Sequence, residues 1–274
     1  MTNDYLAQRR ARIAAALPLG DAILLVGAGD PVPLPEHSDQ TYPFRSHAEY
    51  YYLAGRECAG GVIAFDPRDG ADGWKDFVPL VTEAERVWEG RGQLPGDSLQ
   101  HLPGWLSTRG GRPVAWLGSP PLAVPVDTTL RTRVREAFTH SHRVKDATEI
   151  GLVKQAVDAT AAGFVKLRGL LRPGVSERSL QIELEAEFFR RGAARTGYGT
   201  IVGTGPNSAV LHFEPSARAA KDGEFGRGFL PLALSVAGGA EILVKSPLTE
   251  KIRNPRSEIA QPAFFTLEMV VTRV

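Results

Sequence analysis

Cysteine is all but missing: Cys58 stands alone in 274 residues, so no disulfide closes within the chain, and a reducing compartment suits it. Beside Ala59-Gly60-Gly61 this thiol reads as a small buried apolar side chain rather than a reactive one. Long apolar runs are missing too, since no uncharged stretch approaches the ~20 residues that span a bilayer. The opening residues, Met1-Thr-Asn-Asp-Tyr-Leu-Ala-Gln-Arg-Arg10, lack the apolar core of a secretory signal. Neither charge sign dominates: 32 Lys plus Arg face 31 Asp plus Glu, leaving no global field to attract nucleic acid or an anionic membrane. One further absence is local. No Asp follows Asp222 and no His follows His212, so a metal site that needs both residue types cannot be built from the tail.

What is present is ordinary for a globular protein, with 43% apolar and 23% charged residues and enough length for two domains, each with its own core. A cytoplasmic α/β protein is expected. Leu6 to Leu17 is Ala- and Arg-rich with Leu6, Ile13 and Leu17 on one side, a short amphipathic helix stopped by Pro18 and Gly20. Ala22-Ile-Leu-Leu-Val26, ending in Gly27-Ala-Gly29, has the form of a buried strand. Tyr50 to Leu53, Gly61 to Phe65, Phe77 to Val81 and Val114 to Leu117 read as further strands. Thr82 to Glu89 and Ser98 to Thr108 read as helices, the second interrupted by Pro103. Strands alternating with helices point to an α/β layer with a mixed or parallel sheet.

A domain boundary is expected near residue 144. Asp146-Ala-Thr-Glu149 has the capping-box pattern of a helix start. Ile150, Val153, Val157, Phe164, Leu167 and Leu171 then recur at helical spacing, up to Pro173-Gly174. Ser176 caps a second helix with Leu180, Leu184 and Phe188 inside, closed by Gly192. Tyr198 to Val202 reads as a strand beneath these helices, and Leu232 to Val236 and Phe264 to Val271 are the strand candidates beyond Glu224.

Five motifs, taken in order, resemble one family. Tyr42-Pro-Phe-Arg-Ser-His-Ala-Glu-Tyr-Tyr-Tyr-Leu-Ala-Gly55 and Thr82-Glu-Ala-Glu-Arg-Val-Trp-Glu-Gly90 look like the two N-domain motifs of the aminopeptidase P, prolidase and creatinase family. Arg143 to Ile150 is similar to the segment opening its catalytic, pita-bread domain, and Pro173-Gly-Val-Ser-Glu177 and Gly203 to Glu224 continue in register. The resemblance covers most of residues 5 to 224. It implies a creatinase-like mixed-sheet domain over 1–143 and a partial pita-bread αβ domain over 144–274. It also implies hydrolysis of the bond between a first residue and a following proline, so Xaa-Pro peptides as substrates, and a homo-oligomer. In the family the His at the position of His212 contacts the substrate carbonyl, where a donor stabilises the oxyanion of the tetrahedral intermediate; the alternative is a His at a strand end with no partner. The Trp at the position of Trp88 reaches a neighbouring subunit's active site in related enzymes; the alternative is a partly buried aromatic.

Other candidate motifs yield to simpler readings. Gly203-Thr-Gly205-Pro-Asn207 lacks the Lys and third glycine of a phosphate loop. His140-Ser-His142 puts two imidazoles on one side of an extended segment without a completing ligand. The Arg-rich stretch Arg131 to Arg143 is most simply the solvated face of a helix.

The family pattern fails at its metal ligands. The resemblance implies two divalent ions, often manganese, held by two Asp, one His and two Glu, an oxygen-rich set suited to hard cations. In the usual register the first Asp follows Asp-Gly-Glu by four apolar residues; here that position is Phe229, and the second falls near Ala240. Glu241, Glu250, Glu258 and Glu268 have no accompanying His. The expectation is therefore a chain without a bimetal site or other cofactor, inactive as it stands, or else a non-catalytic module that binds peptides or a protein. A divergent segment, a gene disruption and a frame error each fit the tail after Glu224.

Overall fold

A computed structural model of the chain describes residues 4–35, 39–119, 125, 127–210, 212–222, 225–229 and 266–270. Contacts divide the chain into two units, Met1–Asp146 and Ala147–Val274.

The first unit is built on a five-stranded mixed sheet. Its strands are β1 (Ile23–Ala28), β2 (Val62–Phe65), β3 (Trp74–Val78), β4 (Asp97–Ser98) and β5 (Val114–Ser119), in the order β4-β3-β2-β1-β5. β1 runs antiparallel to β2 and parallel to β5, while β3 pairs antiparallel with β2 and parallel with β4. The unbroken apolar run of β1 follows from burial on both faces. Leu24, Val26 and Ala28 pack with Ile13, Leu53 and Phe138, whereas Ile23 and Leu25 pack with Phe77, Leu102 and Trp116. The helices are α1 (Asp4–Ala16), α2 (Ala48–Ala54), α3 (Glu83–Glu89), α4 (Leu102–Ser107) and α5 (Thr128–Ser141).

Four local expectations need correction here. Tyr50 to Leu53 is helical, not extended, because Tyr50, Leu53 and Ala54 bury one face at helical spacing and Gly55, at φ 66°, closes the turn onto Tyr51 O. β3 lies three residues earlier than expected, since Pro79 has no amide to continue the ladder. Pro103 interrupts nothing: it sits in the first turn of α4, where a missing amide costs no hydrogen bond, after a 3₁₀ turn at Leu99–His101. His140 lies in the last turn of α5 and His142 caps it, with Nδ1 2.9 Å from Phe138 O, so these imidazoles are not on an extended segment.

Two buried charges knit this unit. Arg9 lies between the rings of Tyr5 and Tyr52, 4.8 and 4.7 Å from their centroids, and its Nε donates to Asp146 at 2.6 Å. Asp66 accepts from the Arg68 amide at 3.0 Å, from Arg109 Nε at 2.8 Å and from both terminal nitrogens of Arg112 at 2.9 and 2.8 Å.

The second unit contains α6 (Ala147–Leu170), α7 (Glu177–Arg190) and a three-stranded antiparallel sheet of β6 (Ile201–Thr204), β7 (Phe225–Phe229) and β8 (Thr266–Val270), in that order. β8 falls inside the expected Phe264–Val271 segment; Leu232 to Val236 lies outside the described residues. The inner face of α6 keeps only the later part of the apolar stripe, with Leu167 buried and Phe164 and Leu171 packed beside it. Ile150 and Val157 remain 45% and 42% exposed, while Ala156, Ala159, Gly163 and Leu167 are buried. Small residues face inward because α7 comes close: a Cβ on Gly163 would stand 2.5 Å from the Phe188 ring and 2.7 Å from Leu184.

Candidate functional site

The candidate site is the segment joining β6 to the end of the described loop at Asp222, with the start of α7 beneath it. Ser176 caps α7, its hydroxyl accepting from the Ser179 amide at 3.1 Å, so Glu177 becomes the first helical residue. A carboxylate there is favoured by the helix dipole. Glu177 is fully buried.

Its two oxygens are saturated with donors. Oε1 accepts from the Thr204 amide at 2.7 Å, the Thr204 hydroxyl at 2.9 Å and Asn207 Nδ2 at 3.0 Å. Oε2 accepts from the Ser216 hydroxyl at 2.6 Å, the Ser216 amide at 3.1 Å and Asn207 Nδ2 at 3.2 Å. Burial pushes the Glu177 carboxyl up. The bonds from Ser216, Thr204 and Asn207 outweigh it and hold the group below its ordinary value. Glu177 is therefore a strut whose charged form these bonds favour. With its lone pairs occupied, it serves neither as a proton carrier nor as a metal ligand.

The strut ties together three pieces of chain. Thr204 ends β6, Asn207 lies in the 3₁₀ turn Gly205–Ala209, and Ser216 follows His212 by four residues. Arg218 Nη1 donates to Thr204 Oγ1 at 2.6 Å. The Glu177 amide donates to Arg218 O at 3.0 Å, and Arg178 N donates to Ser216 O at 2.9 Å. Gly203 is required for the tight approach, since a Cβ there would meet Asn207 O at 2.7 Å.

His212 sits in a turn of this loop, with its side chain exposed, and among the described residues no hydrogen bond or ion pair reaches its imidazole. It is thus presented by a braced loop rather than by a strand end. Trp88 belongs to the other unit, on α3, and is 84% exposed, so the partly buried alternative does not hold within this chain. α3 is short but well closed. Thr82 and Glu85 form a reciprocal capping box, and Gly90, at φ 64°, ends the helix. Cys58 is buried, and burial pushes its thiol up, away from the reactive thiolate.

β7 is where the resemblance puts the first metal-bearing strand. It reads Phe225-Gly-Arg-Gly-Phe229 and pairs with β6, Phe229 standing opposite Ile201 and Gly226 opposite Thr204. None of its five residues offers a carboxylate or imidazole. Among the described residues no three His, Cys, Asp or Glu side chains gather as a metal set. The described residues by themselves assemble no bimetal centre. Glu177 is the residue that sequence reasoning passed over: it ends the Pro173–Glu177 motif, yet its hydrogen-bonding partners lie 27 to 39 residues further on.

The chain was compared with known proteins. Residues 6–99 match the model for the aminopeptidase P N-terminal domain, and residues 151–226 match metallopeptidase family M24. Xaa-Pro aminopeptidase 2 of Streptomyces coelicolor is 28% identical over 250 residues, covering 80% of this chain and 52% of the relative. Xaa-Pro aminopeptidase 1 of the same organism is 29% identical over 238 residues, covering 76% and 47%. Among solved structures, Pseudomonas aeruginosa aminopeptidase PepP superposes with a TM-score of 0.65 at 22% identity, over 83% of this chain and 58% of that one. Escherichia coli aminopeptidase P gives 0.64 at 18% identity, over 84% and 59%. The chain spans about half the length of the curated relatives it matches.

Proposed function

The chain belongs to the aminopeptidase P, prolidase and creatinase family of metallopeptidases, and from that premise we propose that it keeps the family's peptide-facing scaffold without its metal-dependent chemistry. The reaction of the lineage is hydrolysis of the bond between a first residue and a following proline. In intact members two divalent ions, manganese in the usual case, supply the charge that polarises this bond. In this chain His212 is the retained substrate contact, a donor placed toward the carbonyl oxygen where negative charge develops. Trp88, projecting from α3, closes the peptide site of a neighbouring subunit in a homo-oligomer. Peptides with proline second are the partners, in the cytoplasm, with no role for nucleic acid or membrane.

One observation carries the loss of activity: the strand following Asp222-Gly-Glu224 contains no carboxylate, in a chain with no Asp beyond Asp222 and no His beyond His212. The chain, purified from a host lacking its own Xaa-Pro peptidases and supplied with manganese, is expected to release no first residue from Xaa-Pro peptides. Turnover above the level of a mock preparation would overturn the reading.

A second reading, a non-catalytic peptide- or protein-binding module, is favoured by the way the His212 loop is braced. Glu177 fixes it through hydrogen bonds alone, with no ion required. Calorimetric titration with the same peptides separates the two: saturable binding without turnover identifies a module, and absence of both leaves a scaffold that has lost its ligand.

A further inference from the structure

α5 and the residues just after it carry an excess of positive charge that the rest of the unit does not neutralise. Between Thr128 and Lys145 stand Arg131, Arg133, Arg135, Arg143 and Lys145, against the single acid Glu136. Elsewhere in the unit most arginines are matched to acids, among them Arg10 to Asp76, Arg68 to Asp21, Arg91 to Glu85 and Glu89, and Arg109 and Arg112 to Asp66, while Arg12 bonds the Tyr52 hydroxyl instead. On α5, only Arg135 approaches a carboxylate, Glu49, at 4.0 Å. Among the described residues Arg131, Arg133 and Arg143 have no acidic partner.

Helix-end electrostatics account for part of this pattern and not the rest. Cations in a last turn complement the carbonyl end of a helix, and Lys145 Nζ does donate to His142 O at 2.6 Å. That effect dies away within one turn, so it explains Arg143 and Lys145 but not Arg131, Arg133 or Arg135. Arg131 and Arg135 are four residues apart, a spacing at which like charges repel and weaken a helix. A merely solvated face would be better served by alternating signs.

Three of these residues, Arg133, Arg135 and Arg143, border a groove of about 690 Å³ between the end of α1 and α5. These arginines line it against the one acid Glu136, and Ala16, Pro18 and Ala137 are its apolar lining residues. Guanidinium groups pair with carboxylates in planar, two-bond fashion, and an apolar floor takes an aliphatic side chain between them. Nucleic acid fits less well. The lining has no Phe, Tyr or Trp on which a base could stack, and a net charge of +1 gives no long-range field. We infer that this groove is a docking site for an acidic peptide segment of a protein partner, one whose carboxylates alternate with apolar residues. The inference stands apart from the Xaa-Pro reading and uses none of its residues.

Fluorescence anisotropy of the full chain with a labelled Glu-Leu-Glu-Glu-Leu-Asp hexapeptide tests it. Saturable binding at low salt, weakening as salt rises, is expected. The double variant Arg133→Glu with Arg143→Glu should weaken it at least tenfold, and the neutral pair Arg133→Gln with Arg143→Gln by a smaller factor. Lys154→Glu, on exposed α6, should leave it unchanged. No saturable binding, equal weakening by Lys154→Glu, or tighter binding of a DNA oligonucleotide of equal charge would each overturn the assignment.

Discussion

Glu177 holds a negative charge away from water because six hydrogen-bond contacts from three residues replace the solvent it loses. Removing the carboxylate strands those donors in a buried place, so Glu177→Ala should destabilise the chain by about 3 kcal/mol and Glu177→Gln by about 1–3 kcal/mol in urea unfolding. His212→Ala, at an exposed imidazole without a described partner, should change stability by less than about 0.5 kcal/mol. The pH dependence follows from the same groups. Glu177 and Asp66 are both held below their ordinary values: burial raises each, and hydrogen bonds from Ser216 and Thr204, or from Arg112 and Arg68, more than offset it. Groups depressed in the folded state contribute fully above their unfolded values of about 4 and lose that contribution as pH falls through the folded ones. Urea midpoints should therefore be flat from pH 7 to about 5 and drop below about pH 4; a midpoint that rises on acidification would contradict this. His212 was proposed as a substrate contact from the sequence because a local motif surrounds it. Glu177 was not, because its role is created by residues that only folding brings near.

Among the elements, the strands and helices that read correctly are those whose pattern is local. β1 and β2 are compact apolar runs, and α3 and α7 carry their caps in sequence, Thr82 with Glu85 and Ser176 with Ser179. α2 was misread because three consecutive tyrosines resemble a strand, whereas Gly55 and the buried trio Tyr50, Leu53 and Ala54 decide for helix. The first part of the α6 stripe, Ile150 and Val157, stays exposed because large apolar residues mark a core only where the neighbour leaves room for them, whereas Leu167 is buried as its spacing implies. Here α7 sits so close that alanine and glycine face it. Gly163→Val should therefore overpack this contact and cost about 1–3 kcal/mol. Gly151→Ala, where the added methyl meets nothing within 4 Å, should stabilise by up to about 1 kcal/mol through helix propensity alone. Opposite shifts in the thermal midpoint of the two variants check the packing; a neutral Gly163→Val would contradict it.

At the scale of the whole molecule, family and architecture were both legible because five motifs stand in order across two compact units. The matches to the aminopeptidase P N-terminal domain and to family M24 cover four of the five, all but Arg143 to Ile150. What the order of motifs cannot supply is a ligand set. The chemistry of the lineage needs carboxylates and imidazoles converging from several strands, and the residues that follow Glu224 have no Asp and no His to offer. β7 pairs with β6, and its sequence, Phe225-Gly-Arg-Gly-Phe229, contains no carboxylate or imidazole, which is the ground for the proposed loss of metal-dependent chemistry. The measurement that tests this most directly is the metal content of the purified chain after equilibration with manganese and desalting. The account predicts close to zero ions per chain, and close to two ions per chain would contradict it.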